Sequence, residues 1–224
     1  MRRWGMVIDL GKCIGCGSCS VACSAKNNVP QNTMRKVLDL GIVRDSGGQR
    51  FFLPMLCNHC ENPPCLKVCP TKATHKRADG IVSIDTEKCI GCGYCIVACP
   101  YQARTILHDQ SGFCFLENRL DGQTRDEKIG VCLKCDFCSS RIDQGLRKGL
   151  IPGIDPEATP ECVNTCSSGA LLFGDLNDPT GKIAQKIREV RAVRLQEDLG
   201  TGPSVYYIVP LQWSVFKQEE EVRC

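Results

Sequence analysis

The sequence has no long apolar run, few aromatics and no block of like charge, and each shortage closes off a class of function. Aromatic residues make up only 6% of its 224 residues, which is little from which to build a large apolar core. Its most apolar stretch, PSVYYIVPLQWSVF (203–216), is shorter than the roughly 18–20 residues of a membrane span and is interrupted by Pro210, so no direct span is expected. The start, MRRWGMVIDLGKC, has two arginines, but its apolar run stops at Asp9. That is short of the roughly 7–15 apolar residues of an export signal, so a secreted, disulfide-stapled protein is not expected. The 28 basic and 25 acidic residues leave a formal charge of +3 and no basic cluster suited to nucleic acid. There is also no phosphate-binding loop, no dinucleotide fingerprint and no nucleophile–base constellation, so no bond-changing catalysis is expected of the chain.

What the sequence does have is 19 cysteines. Sixteen fall into four groups: Cys13, Cys16, Cys19 and Cys23; Cys57, Cys60, Cys65 and Cys69; Cys89, Cys92, Cys95 and Cys99; and Cys135, Cys138, Cys162 and Cys166. Cys114, Cys132 and Cys224 stand outside them. The first and third groups, in KCIGCGSCSVACS and KCIGCGYCIVACP, share the spacing C-x2-C-x2-C-x3-C. The second is C-x2-C-x4-C-x3-C-P, widened by Asn62-Pro63-Pro64, and the fourth is C-x2-C-x23-C-x3-C.

Three thiolates on one tight loop converge on three corners of an iron–sulfur cube, while the fourth cysteine, expected to start a helix, points to the neighbouring cluster. Zinc sites use two separated knuckles, and neighbours on one loop cannot all reach disulfide geometry. The donor rule therefore assigns four [4Fe-4S] clusters in two ferredoxin-like units. Groups two and three share the inner unit, with Cys57, Cys60, Cys65 and Cys99 on one cluster and Cys89, Cys92, Cys95 and Cys69 on the other. Groups one and four share the outer unit, with Cys13, Cys16, Cys19 and Cys166 on one cluster and Cys135, Cys138, Cys162 and Cys23 on the other. Spacing leaves the fourth group's register open, because Cys132-x2-Cys135 fits as well as Cys135-x2-Cys138. Each oxidised cluster with its thiolates carries about −2, which takes the holo charge to about −5.

Other residues have expected places around the clusters. Gly15, Gly17, Gly91 and Gly93 suit positive φ and close backbone approach to sulfur. Ile14, Val21, Ala22, Ile90, Val97 and Ala98 read as an apolar shell. Lys12, Lys88 and Lys134 read as solvated. His59, inside CNHC, reads as a packing or hydrogen-bonding residue, since cysteines already fill the ligand positions. His75 and His108 read as loop residues.

The fold class expected is α+β, two pseudo-symmetric units whose short elements depend on the bound clusters. MVIDL, IVSID and GALLFG read as strands, and Ala78-Asp79-Gly80 as a hairpin turn. The expected divisions are 1–52 with 132–177 for the outer unit, 53–100 for the inner unit, an insertion loop at 101–131, and 178–224 for a docking helix and partner-binding tail. The helix is expected to carry Ile183, Ile187, Val190 and Arg194 on one face, with an Asp178 or Thr180 cap and a stop at Gly200. The tail, Val205 to Phe216 with Trp213, is expected to lie along a partner.

The order of the four groups, with KCDFCSSRIDQGL, PECVNTC, SGALLFGDLNDP and TGPSVYYI, resembles the four-cluster electron-transfer subunits of the complex iron–sulfur molybdoenzymes, the dimethyl sulfoxide reductase superfamily, over nearly the whole chain. The ending looks most like subunits of tetrathionate, thiosulfate, sulfite, arsenate and phenylacetyl-CoA enzymes. In that family the lysine-preceded cysteine is the first ligand of the fourth group, which selects Cys135 and Cys138. The resemblance implies single-electron relay between a molybdenum or tungsten bis-pterin catalytic subunit and a membrane anchor or soluble carrier; a hydrogenase or formate dehydrogenase subunit is the alternative. It implies a cytoplasmic or membrane-associated protein, or one exported with a signal-bearing partner. The sequence departs from the family in two ways. Nitrate reductase relatives have a tryptophan at one ligand position, where this chain has sixteen cysteines; and Ser24 and Ser167 stand where the outer motifs often have proline.

Overall fold

A computed structural model describes residues 1–42, 48, 50–109, 128–190 and 192–210. The chain begins with β1 (Trp4–Asp9), whose continuous apolar run is buried on both faces because it becomes an inner strand of a sheet. After it come α1 (Ser18–Asn27), a hairpin of β2 (Arg35–Ile42) and β3 (Arg50–Leu56), then α2 (Pro64–Lys67). A short hairpin of β4 (Thr74–Lys76) and β5 (Val82–Ile84) leads to α3 (Tyr94–Val97). Next are β6 (Thr105–Ile106), β7 (Cys132–Leu133), α4 (Ser139–Arg147), α5 (Glu161–Asn164) and β8 (Leu171–Asp175). The described chain closes with α6 (Lys182–Glu189), β9 (Ala192–Val193) and β10 (Val205–Ile208). Among the described residues no helix is long and apolar enough to cross a membrane.

The central sheet has the order β8-β1-β10-β9, with Ile8 opposite Leu171 on one side and Tyr207 on the other. Its core includes Trp4, Met6, Ile8, Phe173, Val205 and Tyr207. A second, smaller cluster gathers Cys65, Val82, Cys95 and Cys132, with Ile84 and Ile106 packed against it. Trp4 ties the sheet to the inner hairpin: its backbone and indole N–H donate to the Asp79 carbonyl at 3.1 Å and the Asp79 carboxylate at 3.2 Å.

The strands expected at MVIDL, IVSID and GALLFG are present, as is the hairpin turn, where Gly80 has a φ of 85°. Several expectations need correction. Residues 205–208 of the expected partner-binding tail are instead a strand paired parallel to β1, with Val205 and Tyr207 fully buried in the chain's own core; Trp213 and Phe216 lie outside the described residues. The C-terminal helix ends at Glu189, with Val190 already extended, so Arg194 is not on it. Its N-cap is Gly181, while Asp178 accepts from the Thr180 N–H at 2.9 Å just ahead of it. It docks on this chain's sheet through Ile183. The segment 101–131 is paired at its base, where β6 joins β7; its residues 110–127, including Cys114, lie outside the described residues, as does Cys224. The β2–β3 hairpin is not among the elements expected from the amino acids, and the division at 52/53 falls within β3.

Candidate metal centres

Helices α1, α2, α3 and α5 each carry one cysteine in or near the first turn, and a second follows four residues later. The pairs are Cys19 and Cys23 on α1, Cys65 and Cys69 at α2, Cys95 and Cys99 at α3, and Cys162 and Cys166 at α5. The expectation that the fourth cysteine begins the helix is corrected: the third lies in the helix and the fourth comes one turn on. Helices α2, α3 and α5 each stop after four residues; Pro70 and Pro100 bar the first two from running further, since a residue before proline is pushed out of the helical region, whereas α5 stops without one. Ser24 imposes no such stop. Helix α1 runs on to Asn27, and the Ser24 hydroxyl donates to the Val29 carbonyl.

Four sulfur sets converge. Burial pushes the Cys13 thiol up, and the charges of Cys19, Cys166 and Cys16 add to it. Cys23, Cys135, Cys138 and Cys162 line one cavity, where burial and then the Cys162 sulfur push Cys23 up to about 12. Cys60 is also pushed up to about 12, by burial and then by Cys57, Cys65 and Cys99. Cys69, Cys89, Cys92 and Cys95 line another cavity.

These sites suit clusters and not single ions. Every cysteine among the described residues is a free thiol, and no three metal-ligating side chains among them close on one ion. A cube of four irons needs its thiolates spread around a void, each on a different corner. Backbone N–H groups already point at sulfur: Thr74 to Cys69, Phe137 to Cys135 and Cys132 to Cys89, all at 3.4 Å. Thiols such as Cys13, Cys23 and Cys60, which burial holds against ionisation, would become thiolates on binding a cluster's cationic iron, which would couple cluster binding to folding.

Two glycines hold corresponding loops tight. Gly15 has a φ of 70° and sits under the Phe52 ring; Gly91 has a φ of 66° and sits against the Gly130 carbonyl. A Cβ at either position would collide.

Around the sulfurs lie buried cations that spacing alone does not reveal. Arg35, at the start of β2, donates to Cys162 Sγ at 3.4 Å and Met6 Sδ at 3.6 Å, while its buried Nε and Nη2 have no partner. Burial disfavours its charge, but the Cys162, Cys19 and Cys135 sulfurs outweigh that and raise its pKa. Arg104 donates to Cys65 Sγ at 2.9 Å, Thr74 Oγ1 at 3.1 Å and Cys132 Sγ at 3.7 Å. Lys134, expected to be solvated, is instead buried; its ammonium donates to the carbonyls of Val82 and Cys135. Lys88 is exposed and paired with Asp85, and Lys12 is exposed.

His59 is fully buried, and burial holds it well below the usual histidine range. Its Nδ1 accepts from the Val82 N–H at 3.1 Å, and its ring lies 3.9 Å from that of Phe137, between Cys135 and Cys138. It thus packs the second group's loop against the fourth group's. Cys132 lies in the wall of the Cys69, Cys89, Cys92 and Cys95 cavity, its Sγ 3.5 Å from Cys95 Sγ; it does not line the cavity of the fourth group. That hydrogen bond, helped by the Arg104 charge, lowers the Cys95 thiol.

The expected apolar shell is partly on the surface. Ile14 is 63% exposed, Val21 53%, Ile90 67% and Val97 89%, and beside them Cys16 and Cys92 are themselves exposed. A separate cleft of about 300 Å³ between α4, β8 and α6, lined by Trp4, Ile151 and Ile183 among others, has no cysteine in its walls.

Two family models, each described as a 4Fe-4S dicluster domain, match residues 12–73 and 49–119. The fourth group lies beyond both. A tetrathionate reductase subunit of Salmonella typhimurium is 40% identical over 92% of this chain and 72% of its own length. A selenate reductase subunit of Mesobacillus selenatarsenatis is 41% identical over the same shares. The chain belongs to the family of iron–sulfur electron-transfer subunits of the molybdoenzyme reductases. Its cofactors are four [4Fe-4S] clusters. Iron–sulfur subunit 1 of an Hdr-like menaquinol oxidoreductase of Archaeoglobus fulgidus is also similar, 38% identical over 92% of this chain and 83% of that one.

Proposed function

We propose that this subunit relays single electrons along a row of four clusters and performs no bond-changing chemistry itself. The ligand sets are those in which the sulfurs converge: Cys13, Cys16, Cys19 and Cys166; Cys135, Cys138, Cys162 and Cys23; Cys57, Cys60, Cys65 and Cys99; Cys89, Cys92, Cys95 and Cys69. Two helices, α1 and α5, connect the first pair of clusters, and α2 and α3 connect the second pair. The His59–Phe137 contact joins the two pairs, which together form pseudo-symmetric ferredoxin-like units.

The observation that carries the reading is where the sulfur reaches the surface. Cys16 and Cys92 are exposed, they belong to the two outermost sets, and each is flanked by exposed apolar residues: Ile14 and Val21 at one end, Ile90, Tyr94 and Val97 at the other. A relay needs a redox partner at each end, and an apolar rim around a near-surface cluster suits docking. One partner is a molybdenum or tungsten bis-pterin catalytic subunit, and the other is a membrane anchor subunit or a soluble carrier. Subunits of tetrathionate and selenate reductases among the relatives favour this reading over a hydrogenase or formate dehydrogenase subunit. Association with a membrane is through partners, in the cytoplasm or after export with a signal-bearing partner.

Clusters saturated with cysteine thiolates change oxidation state without binding substrate at iron. The chain's own part is to hold each cube, exclude water from the inner two, and leave one face of each end cluster accessible. Purified holo subunit free of pterin should be reduced by dithionite at its higher-potential clusters yet show no turnover with sulfur, selenium or arsenic oxyanions. Turnover by the subunit alone would overturn the proposal.

A further inference from the structure

Among the described residues, every buried side chain with a full charge is a cation: Arg35, Lys134 and Arg104. None forms a salt bridge with a carboxylate there. An uncompensated charge removed from water is strongly unfavourable, and guanidinium groups do not shed theirs. Two of Arg35's three nitrogens are buried with nothing to donate to, although a guanidinium is a fork of five N–H donors. Three unpaired buried cations therefore mark where negative charge is held in the working protein.

Their positions follow the row of sulfur sets. Arg35 donates to Cys162 of one set in the outer unit, and its charge is felt by Cys19 of that unit's other set. Lys134 is bonded to the carbonyls of Cys135, in the outer unit, and Val82, whose N–H holds His59 of the inner unit's CNHC loop. Arg104 donates to Cys65 of one set in the inner unit and to Cys132, which touches Cys95 of that unit's other set.

We infer that Arg35, Lys134 and Arg104 are fixed counter-ions, one in each of the three gaps between neighbouring clusters, and that each holds up the reduction potentials of the two clusters it separates. This rests on the ligand sets proposed above. Reduction adds a negative charge to a cluster, so a nearby cation stabilises the reduced form and its removal lowers the potential. Alternating charge along the row also keeps successive dianions from facing each other across a dry gap.

The test is an anaerobic redox titration of the holo subunit, following each cluster's electron paramagnetic resonance signal, in Arg35→Gln and Arg104→Gln with Arg35→Lys and Arg104→Lys as controls. Arg35→Gln should lower two signals, each by at least tenfold in its reduced-to-oxidised ratio at fixed potential, about 59 mV for one electron. Arg104→Gln should lower the other two, and both lysine variants should stay near the wild type. Gln variants fully loaded with iron that titrate like the wild type would overturn the inference, as would an equal shift of all four signals. If a Gln variant fails to load iron, recovery of loading and potential in the Lys variant supports the charge role, and failure of both overturns it in favour of packing. Iron and sulfide are measured on the same samples. A wild-type chain lacking a cluster would contradict the relay reading, which is a different result from clusters present at unmoved potentials.

Discussion

On the ligand sets proposed above, the two cluster-bearing units are built by opposite routes. The inner unit lies in one run of chain, Cys57 to Cys99, with one-turn helices and a hairpin of three-residue strands. The outer unit draws Cys13 to Cys23 and Cys135 to Cys166 from either side of it, and its ligand loops hang from the central sheet. The small cluster of Cys65, Val82, Cys95 and Cys132 is mostly sulfur, whereas the outer cysteines Cys19, Cys135 and Cys162 sit in a core with Met6, Ile8, Phe137 and Tyr207, which the inner unit enters only at its start, through Cys57, and at its hairpin, through Ile81. The difference separates two sources of order. Local chain geometry plus the clusters shape the inner unit, and long-range apolar packing shapes the outer one.

The largest expected effect comes from removing iron. Anaerobic chelation should abolish amide protection from about α2 through α3 while β1, β8 and β10 keep a measurable part of theirs, because only the latter have an apolar core of their own. Equal loss in both regions by hydrogen exchange would erase the distinction. Next in size is loss of a single ligand. Cys138→Ser should remove or convert one cluster of about four irons, whereas Cys132→Ser should keep about 16 irons per chain. A Cys132→Ser chain that loses a fourth-group signal would show that the fourth group's register begins at Cys132.

Substitution of Tyr207 tests the outer unit's dependence on the sheet. Its ring is 1% exposed and its hydroxyl donates to the Pro54 carbonyl at 3.0 Å, so Tyr207→Ala should cost about 3–5 kcal/mol, as for other large aromatics cut from a core. Denaturant unfolding of the holo chain measures it; a cost under about 1 kcal/mol would mean that β10 is not part of the core. The smallest effect sharpens the comparison most finely. Gly15→Ala meets the Phe52 side chain, which can move aside, while Gly91→Ala meets the Gly130 backbone carbonyl, which cannot. Both lose about 1–2 kcal/mol to left-handed strain, and Gly91→Ala should lose more in total.

The same contrast explains what could be read from the amino acids. The inner unit was legible almost throughout: two Cys-Pro endings, a turn at Ala78-Asp79-Gly80 and a β-prone IVSID are local signals, and the elements formed where they stand. The outer sheet was legible only in part. Strand β10 reads as a partner-binding tail because its own partner strand β1 is some two hundred positions away, and nothing in VYYI says that Val205 and Tyr207 face inward against Met6 and Ile8. Helix α6 was overextended because the spacing of Ile183, Ile187 and Val190 continues past the point where the chain turns extended to reach β9. The four cysteine groups can be read from spacing, apart from the register of the fourth, which rests on the resemblance; the cations around them cannot. Arg35 meets Cys162 across 127 positions, and Lys134 resembles Lys12 and Lys88 until the fold buries it. Ile14 and Ile90 misled for the opposite reason, being apolar residues left on the surface beside the two end clusters.

The central claim, a four-cluster relay with partners at both ends, is tested most directly by purifying the native complex anaerobically, counting iron, and adding the catalytic partner's substrate while recording the cluster spectra. The account predicts about 16 irons and 16 sulfides on this subunit and clusters that are oxidised or reduced by substrate only while the pterin subunit is present. A fully loaded complex in which substrate never changes those spectra would contradict it.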